Sequence, residues 1–520
     1  MGAMKLRNWT SIFPWFLLWP AMAIASMIPV GIPRLAMKLA LILPVVVWGA
    51  VNWKNPEKLF PLGRQWLPFS LSICVLTFLT GLGIFEFINY SGYFGGDFGI
   101  YLSTFHNSGW LLGREYLSGR QFLGLHSEFL CIPVGWIFKL APWPVTIQLV
   151  QMACSLWAWA LLRSWILKRS EDKVFGEWMA LGFMLSPCLL ANSLRGFYGV
   201  SVAIPFLVMA ATAYHDGKWK KFLYSLCMLL LAKEIFAVTA ICLGALALLQ
   251  RRSLKWVVVP FALGLGVGMT LRFWYFPMMM KDSAYYFDQF VGDWKVVLAR
   301  IVSLDTFLYL IRVALYGGSI LVLRSQYSLL ALPAMGPYII LGWLNIRSHY
   351  VLEPSLWLFF GAITVFFRTR ENSVAEQPHR KRWLFSLLAC MFFMSINLGQ
   401  DLPFFRHHPF EKSYRQAVTV IPEDATLGLG VAMEDYLYKI HHYYYLEYER
   451  DPSKPPCTWS GEFKFKGGHG EYILLHKDIG SDFFAPENKE RTRHCWAELE
   501  KDSTLQTVWQ DSVLVLLKRN

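Results

Sequence analysis

The sequence has 520 residues, of which 55% are hydrophobic and only 16% are charged, and its net charge is +13. A soluble protein carries roughly 25% charged residues, so this deficit argues against a soluble domain and indicates that lipid surrounds most of the chain. The basic residues cluster in short loops between apolar runs, which fits the positive-inside rule and gives no indication of nucleic-acid binding.

Apolar runs long enough for a transmembrane helix recur from the N-terminus to about residue 400. About 20 residues cross the hydrocarbon core of a bilayer. The first run follows Lys5 and Arg7 and lacks a convincing small-residue cleavage site, so it is interpreted as an uncleaved helix. The predicted spans lie near 11–30, 34–52, 67–88, 144–165, 177–194, 198–215, 257–275, 304–323, 327–346, 352–367 and 384–400.

Two further apolar segments do not fit a simple span. Residues 222–249 are too long for one helix, and Lys233-Glu234 interrupts them, which predicts two short helices with the charged pair at their junction. Residues 126–141 are short and punctuated by prolines, so a re-entrant or juxtamembrane helix is expected there. The predicted fold class is therefore an all-α polytopic membrane protein with about 13 transmembrane helices.

Basic loops between the spans predict the orientation of the chain. Loops around Lys168, Lys220, Arg252 and Arg380 are rich in Lys and Arg, and the positive-inside rule places such loops in the cytoplasm. The N-terminus is then cytoplasmic and the C-terminus extracytoplasmic. The large loop 89–143 and most of the unusual polar residues fall on the outer face.

The composition changes at about residue 412, where charged residues and histidines increase. Short apolar runs that predict strands alternate there with stretches that predict helices. The chain is therefore expected to divide into a transmembrane domain, residues 1–411, and a small extracytoplasmic α/β domain, residues 412–520. The predicted strands are 427–431, 472–475 and 512–517, and the predicted helices are 433–449 and 488–502.

Asp97 directly follows a long apolar segment and is framed by Gly95, Gly96 and aromatic residues. Glycines let the backbone and a substrate approach closely, and a carboxylate at the membrane surface can take the proton from an attacking hydroxyl. Asp97 is therefore the candidate general base. The alternative interpretation is an ordinary charged loop residue.

Several cationic and aromatic residues fall on the same predicted face as Asp97. Arg, Lys and His can stabilise a phosphate leaving group as its charge develops, which suits the transfer of a sugar from a lipid phosphate. Glu234 is a candidate to orient Lys233. Two alternatives stay open: a structural ion pair at Lys233-Glu234, and arginines that snorkel to lipid headgroups. The candidate substrate-binding residues are Tyr93, Tyr101, His126, Arg195, Tyr198, Lys233, Glu234, Arg347, His349 and Tyr350.

The sequence assigns no metal site and no other cofactor. Asp97 is followed by Phe98-Gly99, so the first outer loop lacks a DxD pair, which disfavours a requirement for a divalent cation but leaves it open. Cys457 and Cys495 lie in the predicted outer domain, where they either form a disulfide or remain two thiols.

The order of these motifs is similar to that of a prokaryotic family of predicted membrane proteins of unknown function, itself resembling the GT-C glycosyltransferase superfamily. The resemblance covers about residues 90–480. It rests on Gly96-Asp97-Phe98-Gly99-Ile100-Tyr101, Leu125-His126 leading into Pro133, Pro142 before Gln148, Phe197-Tyr198, Lys233-Glu234, His349-Tyr350 and the run 471–475. The chain departs from the family at 195–198, where the family more often has an Asp-Phe-His run.

The resemblance implies an integral membrane glycosyltransferase that uses a polyprenyl-phosphate-linked sugar donor and inverts the anomeric centre. It also implies a catalytic aspartate in the first large outer loop, the position of Asp97. The sugar does not carry over, and neither does the acceptor, which is a glycan, a lipid or a protein. The alternative function is a transporter or a flippase for lipids or lipid-linked sugars, which would move its substrate without covalent transfer. A flippase would need charges along a path through the bilayer, whereas these residues gather on one predicted face.

Overall fold

The computed structural model forms two compact units. The first comprises Met1–Phe85, Ser127–Cys131 and Gln148–Arg406, and the second comprises Glu86–His126, Ile132–Ile147 and His407–Asn520. The residues that the structure describes are 43–55, 59, 66–88, 96–112, 122–186, 189, 192, 196–279, 294–317, 323–342, 344, 349–368, 377–398, 411–423, 425–430, 439, 442–448, 457–459, 471–477, 501 and 503–520.

The described residues are mostly helical, with a small sheet near the C-terminus, as the composition predicts. Leu43–Asn52 is helical, and short 3₁₀ turns form at Gln326–Leu330 and His349–Val351. The helices that follow are α1 (Trp66–Ile88), α2 (Gly96–Asn107), α3 (Phe122–Leu125), α4 (Cys131–Leu140), α5 (Pro144–Arg169), α6 (Lys173–Met184), α7 (Val200–His215), α8 (Trp219–Ala232), α9 (Phe236–Leu249), α10 (Leu254–Thr270, continued by a π-helix at Leu271–Tyr275), α11 (Phe276–Met279), α12 (Trp294–Ile301), α13 (Leu304–Gly317), α14 (Ala331–Leu341), α15 (Leu352–Arg368), α16 (Gln377–Leu398) and α17 (Glu411–Val420).

Two stretches of the described chain, Pro144–Arg169 and Leu254–Met279, are helices long and apolar enough to cross a membrane. In contrast, α4 has 10 residues, which is about 15 Å of helix and half of the hydrocarbon thickness. That length agrees with the expectation that residues 126–141 do not span. Helix α7 is buried on all sides from Val200 to Tyr214, as an apolar helix in the middle of a bundle should be.

Helices α8 and α9 run in opposite directions and are joined at Lys233, as the interruption of the apolar segment there predicts. Trp219 begins α8, and its ring lies 5.0 Å from that of Trp256, just beyond the end of α9. Arg252 Nη1 also donates to the carbonyl oxygen of Tyr214 at 2.5 Å. Because the start of α8 and the end of α9 meet, the junction between them lies at the opposite ends of both helices.

A set of contacting helix ends and connecting loops, which we call the basic face, consists of residues 165–173, 214–219 and 250–256. Asp216 connects two of these loops, because it accepts hydrogen bonds from Trp165 Nε1 at 3.0 Å and from the Arg169 guanidinium. Burial alone would raise the pKa of Asp216, but the hydrogen bonds from Trp165, Lys218 and Arg169 outweigh burial and lower the pKa to about 2. Asp216 is therefore ionised at neutral pH and neutralises part of this face.

Close packing of α9 on α10 depends on glycines. A Cβ atom on Gly244 would lie 2.7 Å from the carbonyl oxygen of Val257, and one on Gly264 would lie 2.5 Å from that of Ala237. Small residues let helix backbones approach closely, which is a frequent way of packing helices in membranes. Each of these glycines therefore fixes the distance between the two helices.

Replacing Gly264 by alanine should destabilise the protein by about 1–3 kcal/mol, because backbone atoms of α9 occupy the space of the new methyl group. Gly266 lies on the same helix and has nothing within 4 Å of its Cβ position. Gly266→Ala should therefore leave stability unchanged or raise it slightly, through the better helix propensity of alanine. Thermal melting of both variants in a mild detergent checks this contrast, and equal melting temperatures would contradict it.

The C-terminal part of the second unit contains a six-stranded sheet in the order β3-β2-β1-β4-β6-β5. Strand β1 pairs in parallel with β2 and β4, and the remaining pairs are antiparallel. Helix α17 packs on the sheet through Tyr414 and Ala417, against Leu427, Leu474 and Leu516. The strands are β1 (Thr426–Gly430), β2 (His442–Tyr448), β3 (Cys457–Trp459), β4 (Tyr472–His476), β5 (Leu505–Gln510) and β6 (Leu514–Arg519).

The predicted strands at 427–431, 472–475 and 512–517 correspond to β1, β4 and β6. The helix predicted at 433–449 is wrong over its second half, because β2 occupies His442–Tyr448 and pairs with both β1 and β3. Three successive tyrosines favour a strand, and two neighbouring strands satisfy the backbone of β2. The helix predicted at 488–502 lies almost entirely outside the described residues.

Candidate functional site

The junction between α8 and α9 holds a buried ion pair. Lys233 ends α8 in an extended conformation, with φ −168° and ψ 148°, and its Nζ lies 3.0 Å from Glu128 Oε1. The Lys233 side chain is 12% exposed and that of Glu128 is 0% exposed. The junction keeps its backbone hydrogen bonds, because Phe236 N donates to the Lys233 carbonyl at 3.1 Å. The Lys233 ammonium group is therefore held at the helix break by a buried carboxylate.

A second set of contacts joins residues 127–130 to the junction of α8 and α9. Glu234 Oε2 accepts hydrogen bonds from Ser127 N at 3.1 Å and from Ser127 Oγ at 3.4 Å. Leu130 N also donates to the Leu231 carbonyl at 3.2 Å. Lys233 thus pairs with Glu128, while its neighbour Glu234 binds Ser127. We call these four residues (Ser127, Glu128, Lys233 and Glu234) the Glu128–Lys233 cluster.

The turn before α7 supports the cluster from another side. Gly199 lies against Glu128 so closely that a Cβ atom at this position would overlap the Glu128 carboxylate. Gly196, in the same turn, has φ +85°, a conformation that favours glycine. Tyr198 lies between these two glycines and is buried. The candidate residue Tyr198 is therefore placed next to the residues that hold Glu128.

The side-chain amide of Gln151, in α5, holds this turn through four hydrogen bonds. Its Nε2 donates to the carbonyls of Asn192 at 2.7 Å and Gly196 at 2.5 Å. Its Oε1 accepts from Tyr198 N at 3.1 Å and from Ser201 Oγ at 2.7 Å. Two donors and two acceptor sites are the full inventory of a side-chain amide. This buried amide therefore determines the conformation of the turn that faces Glu128.

Replacing Gln151 by leucine should destabilise the protein by several kcal/mol, at about 1–3 kcal/mol for each buried group left without a partner. Gln148 provides a matched control, because it is also buried in α5 and its Oε1 has no hydrogen-bond partner among the described residues. Gln148→Leu should be nearly neutral. Unfolding of the two variants in SDS-titrated micelles measures the difference, and a similar loss in both would show that the turn does not depend on Gln151.

Aromatic and acidic residues from α14, from the 3₁₀ turn His349–Val351 and from α15 lie near the Glu128–Lys233 cluster. The rings of Tyr338 and Tyr350 stack with centroids 4.7 Å apart, and Tyr338 lies near Lys233 and Glu234. Glu353 is buried, and it accepts hydrogen bonds from Thr239 and from Trp357 Nε1, the latter at 3.4 Å. Tyr350 is therefore a predicted residue that lies close to the cluster.

The cluster and the basic face lie at opposite ends of the same helices. Helix α7 begins beside Gly199 and ends at the basic face with His215, and α9 begins after Lys233 and ends before Arg251. Helix α15 begins next to Glu353 and reaches Phe367, whose ring contacts Trp165 of the basic face. Since α7 has 16 residues, it separates the two regions by about 24 Å. This distance is comparable to the hydrocarbon thickness of a bilayer.

Asp97 is the second residue of α2, in the second unit, and the structure describes its backbone but not its side chain. Helix α2 is firmly packed: Phe105 is buried and its ring lies 6.1 Å from that of Phe138 in α4. Lys139 Nζ also donates to the Ser108 carbonyl at 2.5 Å. The helix therefore holds the Asp97 backbone in a fixed first turn, where the helix dipole favours a carboxylate.

The other predicted residues are placed as follows. Tyr101 is buried on α2 with its ring 5.6 Å from that of Phe122, and His126 follows α3 and is half-buried. The backbone of His349 begins a 3₁₀ turn, and the backbone of Cys457 begins β3. Outside the described residues lie Tyr93, Arg195, Arg347 and Cys495, together with the side chains of Asp97, His349 and Cys457. The proposed disulfide between Cys457 and Cys495 therefore stays a prediction.

The sequence interpretation assigned no role in the site to Glu128, Gln151, Tyr338 or Glu353. Glu128 and Gln151 carried a signal, since each is a polar residue next to or inside an apolar segment. Within the described part of the chain, no group of three or more His, Cys, Asp or Glu residues is arranged to hold a metal ion.

Comparisons with known proteins place the chain among membrane proteins. Two crystal structures of ArnT from Cupriavidus metallidurans are similar in part. The apo form has 12% identity and a TM-score of 0.44, over 81% of this chain and 93% of that chain. The form bound to undecaprenyl phosphate has 11% identity and a TM-score of 0.45, over 86% and 97%. No curated protein matches. A family model described as a predicted membrane protein (DUF2079) matches residues 81–428. This match confirms the family expected from the order of the motifs, and the chain belongs to the predicted membrane protein family DUF2079.

Proposed function

We propose that this protein is an integral membrane glycosyltransferase that moves a sugar from a polyprenyl-phosphate donor to an acceptor on the extracytoplasmic face. One observation carries the proposal: the buried carboxylate of Glu128 holds the ammonium group of Lys233 at the junction of two apolar helices, α8 and α9. Ionisable residues at such positions are expensive and usually functional. A cation at this depth suits a ligand with an apolar tail and an anionic phosphate.

The orientation follows from the basic face. Cytoplasmic loops of membrane proteins carry an excess of Lys and Arg, so the basic face belongs in the cytoplasm. The Glu128–Lys233 cluster, about 24 Å away along α7, then belongs at the outer face. Because the sequence resembles a prokaryotic family, we place the protein in the cytoplasmic (inner) membrane of a prokaryote, with the C-terminal sheet outside.

The chemistry is a single displacement. Asp97 takes the proton of an acceptor hydroxyl, whose oxygen attacks the anomeric carbon and inverts it. The bond from that carbon to the phosphate oxygen breaks, and polyprenyl phosphate leaves with the electron pair and an additional negative charge. Lys233 and the predicted cations Arg195, Arg347 and His349 stabilise this charge. The predicted aromatic residues contact the sugar or the lipid.

A transfer assay tests this function. Polyprenyl phosphates that carry different radiolabelled sugars are added singly to membranes containing the protein or its Asp97→Asn variant. With a suitable donor, the label should move from the lipid to an acceptor only with the wild-type protein, and polyprenyl phosphate should accumulate in equal amount. If labelled lipids instead cross vesicle membranes while every sugar stays attached, the flippase interpretation replaces the transferase.

A further inference from the structure

A shallow, open cavity lies beside the basic face, at the end of α5 far from the Glu128–Lys233 cluster. Its walls are the turn 169–172, Phe175 of α6, and Arg380 and Lys381 of α16. All of these residues belong to the first unit. Because α5 is one of the helices long and apolar enough to cross a membrane, a cavity at its end lies at the depth of lipid headgroups.

The turn that forms one wall is held in place by its own contacts. Asp172 caps α6 by accepting a hydrogen bond from Phe175 N at 3.0 Å. Ser170 Oγ donates to the carbonyl of Asp172 at 2.5 Å. Arg169 is fixed by its ion pair with Asp216 and by the ring of Trp165, whose centroid lies 4.3 Å from the guanidinium carbon. This wall is therefore rigid before any ligand binds.

The opposite wall brings two further cations to the cavity. The Arg380 guanidinium lies 5.4 Å from the centroid of the Phe175 ring. Lys381 is only 7% exposed, and it lines the cavity beside Arg380. The residues that line the cavity include three cations (Arg169, Arg380 and Lys381) and two carboxylates, Glu171 and Asp172, and Asp172 is engaged at the N-terminus of α6. The positive end of the α6 dipole adds to this potential.

We infer that this cavity binds the phosphate of an anionic phospholipid headgroup, such as that of phosphatidylglycerol. Basic pockets between transmembrane helices on the cytoplasmic side suit such headgroups, because cations and bilayer depth act together. Arg380 and Lys381 would donate to the phosphate oxygens, and Arg169 would add its charge at the rim. Binding of this lipid is independent of the transferase reaction, so it can fail or succeed separately.

Lipid binding is measured on the full chain in a neutral detergent, by native mass spectrometry and by thermal melting. The probes are phosphatidylglycerol, phosphatidylcholine and inorganic phosphate. Phosphatidylglycerol should bind and raise the melting temperature, whereas phosphatidylcholine and inorganic phosphate should not. Arg380→Gln combined with Lys381→Gln should weaken phosphatidylglycerol binding about tenfold or more, because two charge-assisted contacts are lost.

Two controls keep the result specific. Lys220→Gln combined with Lys221→Gln removes the same charge from exposed positions near the basic face and should leave binding within about twofold, as expected for screened surface charges. Arg380→Lys combined with Lys381→Arg keeps the charge and should retain most of the binding, which separates lost contacts from misfolding. Equal weakening by the two glutamine pairs would overturn the inference. Stabilisation by inorganic phosphate alone would replace the lipid with a free anion.

Discussion

Asp97→Asn should lower sugar transfer by about 10²–10⁴-fold while the protein stays folded. Proton transfer by a positioned side chain contributes about this factor to catalysis, and asparagine cannot accept the proton of the acceptor hydroxyl. Asp97 is the second residue of α2, so asparagine loses only the favourable interaction with the helix dipole, about 0.3–1 kcal/mol, which is too little to unfold the protein. The measurement is the initial rate of label transfer, normalised to the amount of folded protein.

Asp305→Asn is the matched control for this experiment. Asp305 is also the second residue of its helix, α13, and it is exposed. The same substitution in the same helical position should leave transfer unchanged. Transfer by the Asp97 variant at a near wild-type rate would remove Asp97 from the mechanism. Similar losses in both variants would indicate that a charge in the first turn, and not a general base, is what matters.

Local patterns in the sequence predicted two kinds of element: the apolar helices of the membrane region and the strands that consist of short apolar runs. The break at Lys233-Glu234 was predictable because a charged pair is costly within an apolar run in a bilayer. A helix break that is buried in the protein can accommodate such a pair. The strands at 427–430 and 472–475 were predictable from short apolar runs. The same approach wrongly predicted a helix at residues 442–448. These residues form β2 by pairing with strands elsewhere in the chain, which a local pattern does not reveal.

The partner of Lys233 could not be predicted by this means. The nearest carboxylate in the sequence is Glu234, whereas the structure pairs Lys233 with Glu128, far away in the chain. A buried ion pair depends on which segments the fold brings together, and no local period encodes that. Gln151 is a similar case, since its four hydrogen bonds all go to residues 192–201. A polar residue in an apolar helix shows that a partner exists, but not which one.

Lys233→Met should destabilise the protein by about 3–5 kcal/mol, because it leaves the fully buried Glu128 carboxylate without its cation. Combining Glu128→Gln with Lys233→Met should cost much less than the sum of the two single changes, since neither charge then remains. Unfolding in SDS-titrated micelles measures the four proteins of this cycle. Lys518→Met removes one partner of an exposed pair with Glu471 and should give no measurable change. Additive effects in the cycle would show that the two side chains do not interact.

The same variants separate a structural ion pair from a site that binds the donor phosphate. Glu128 is completely buried, whereas 12% of the Lys233 side chain is exposed, so we expect the lysine and not the carboxylate to contact a ligand. Glu128→Gln keeps the ammonium group, while Lys233→Met removes it. If Lys233 stabilises the leaving phosphate, Lys233→Met should reduce transfer about 10²-fold or more below Glu128→Gln, when equal amounts of folded protein are compared. Equal transfer by the two variants would mean that the pair only holds the junction of α8 and α9 against Ser127–Cys131.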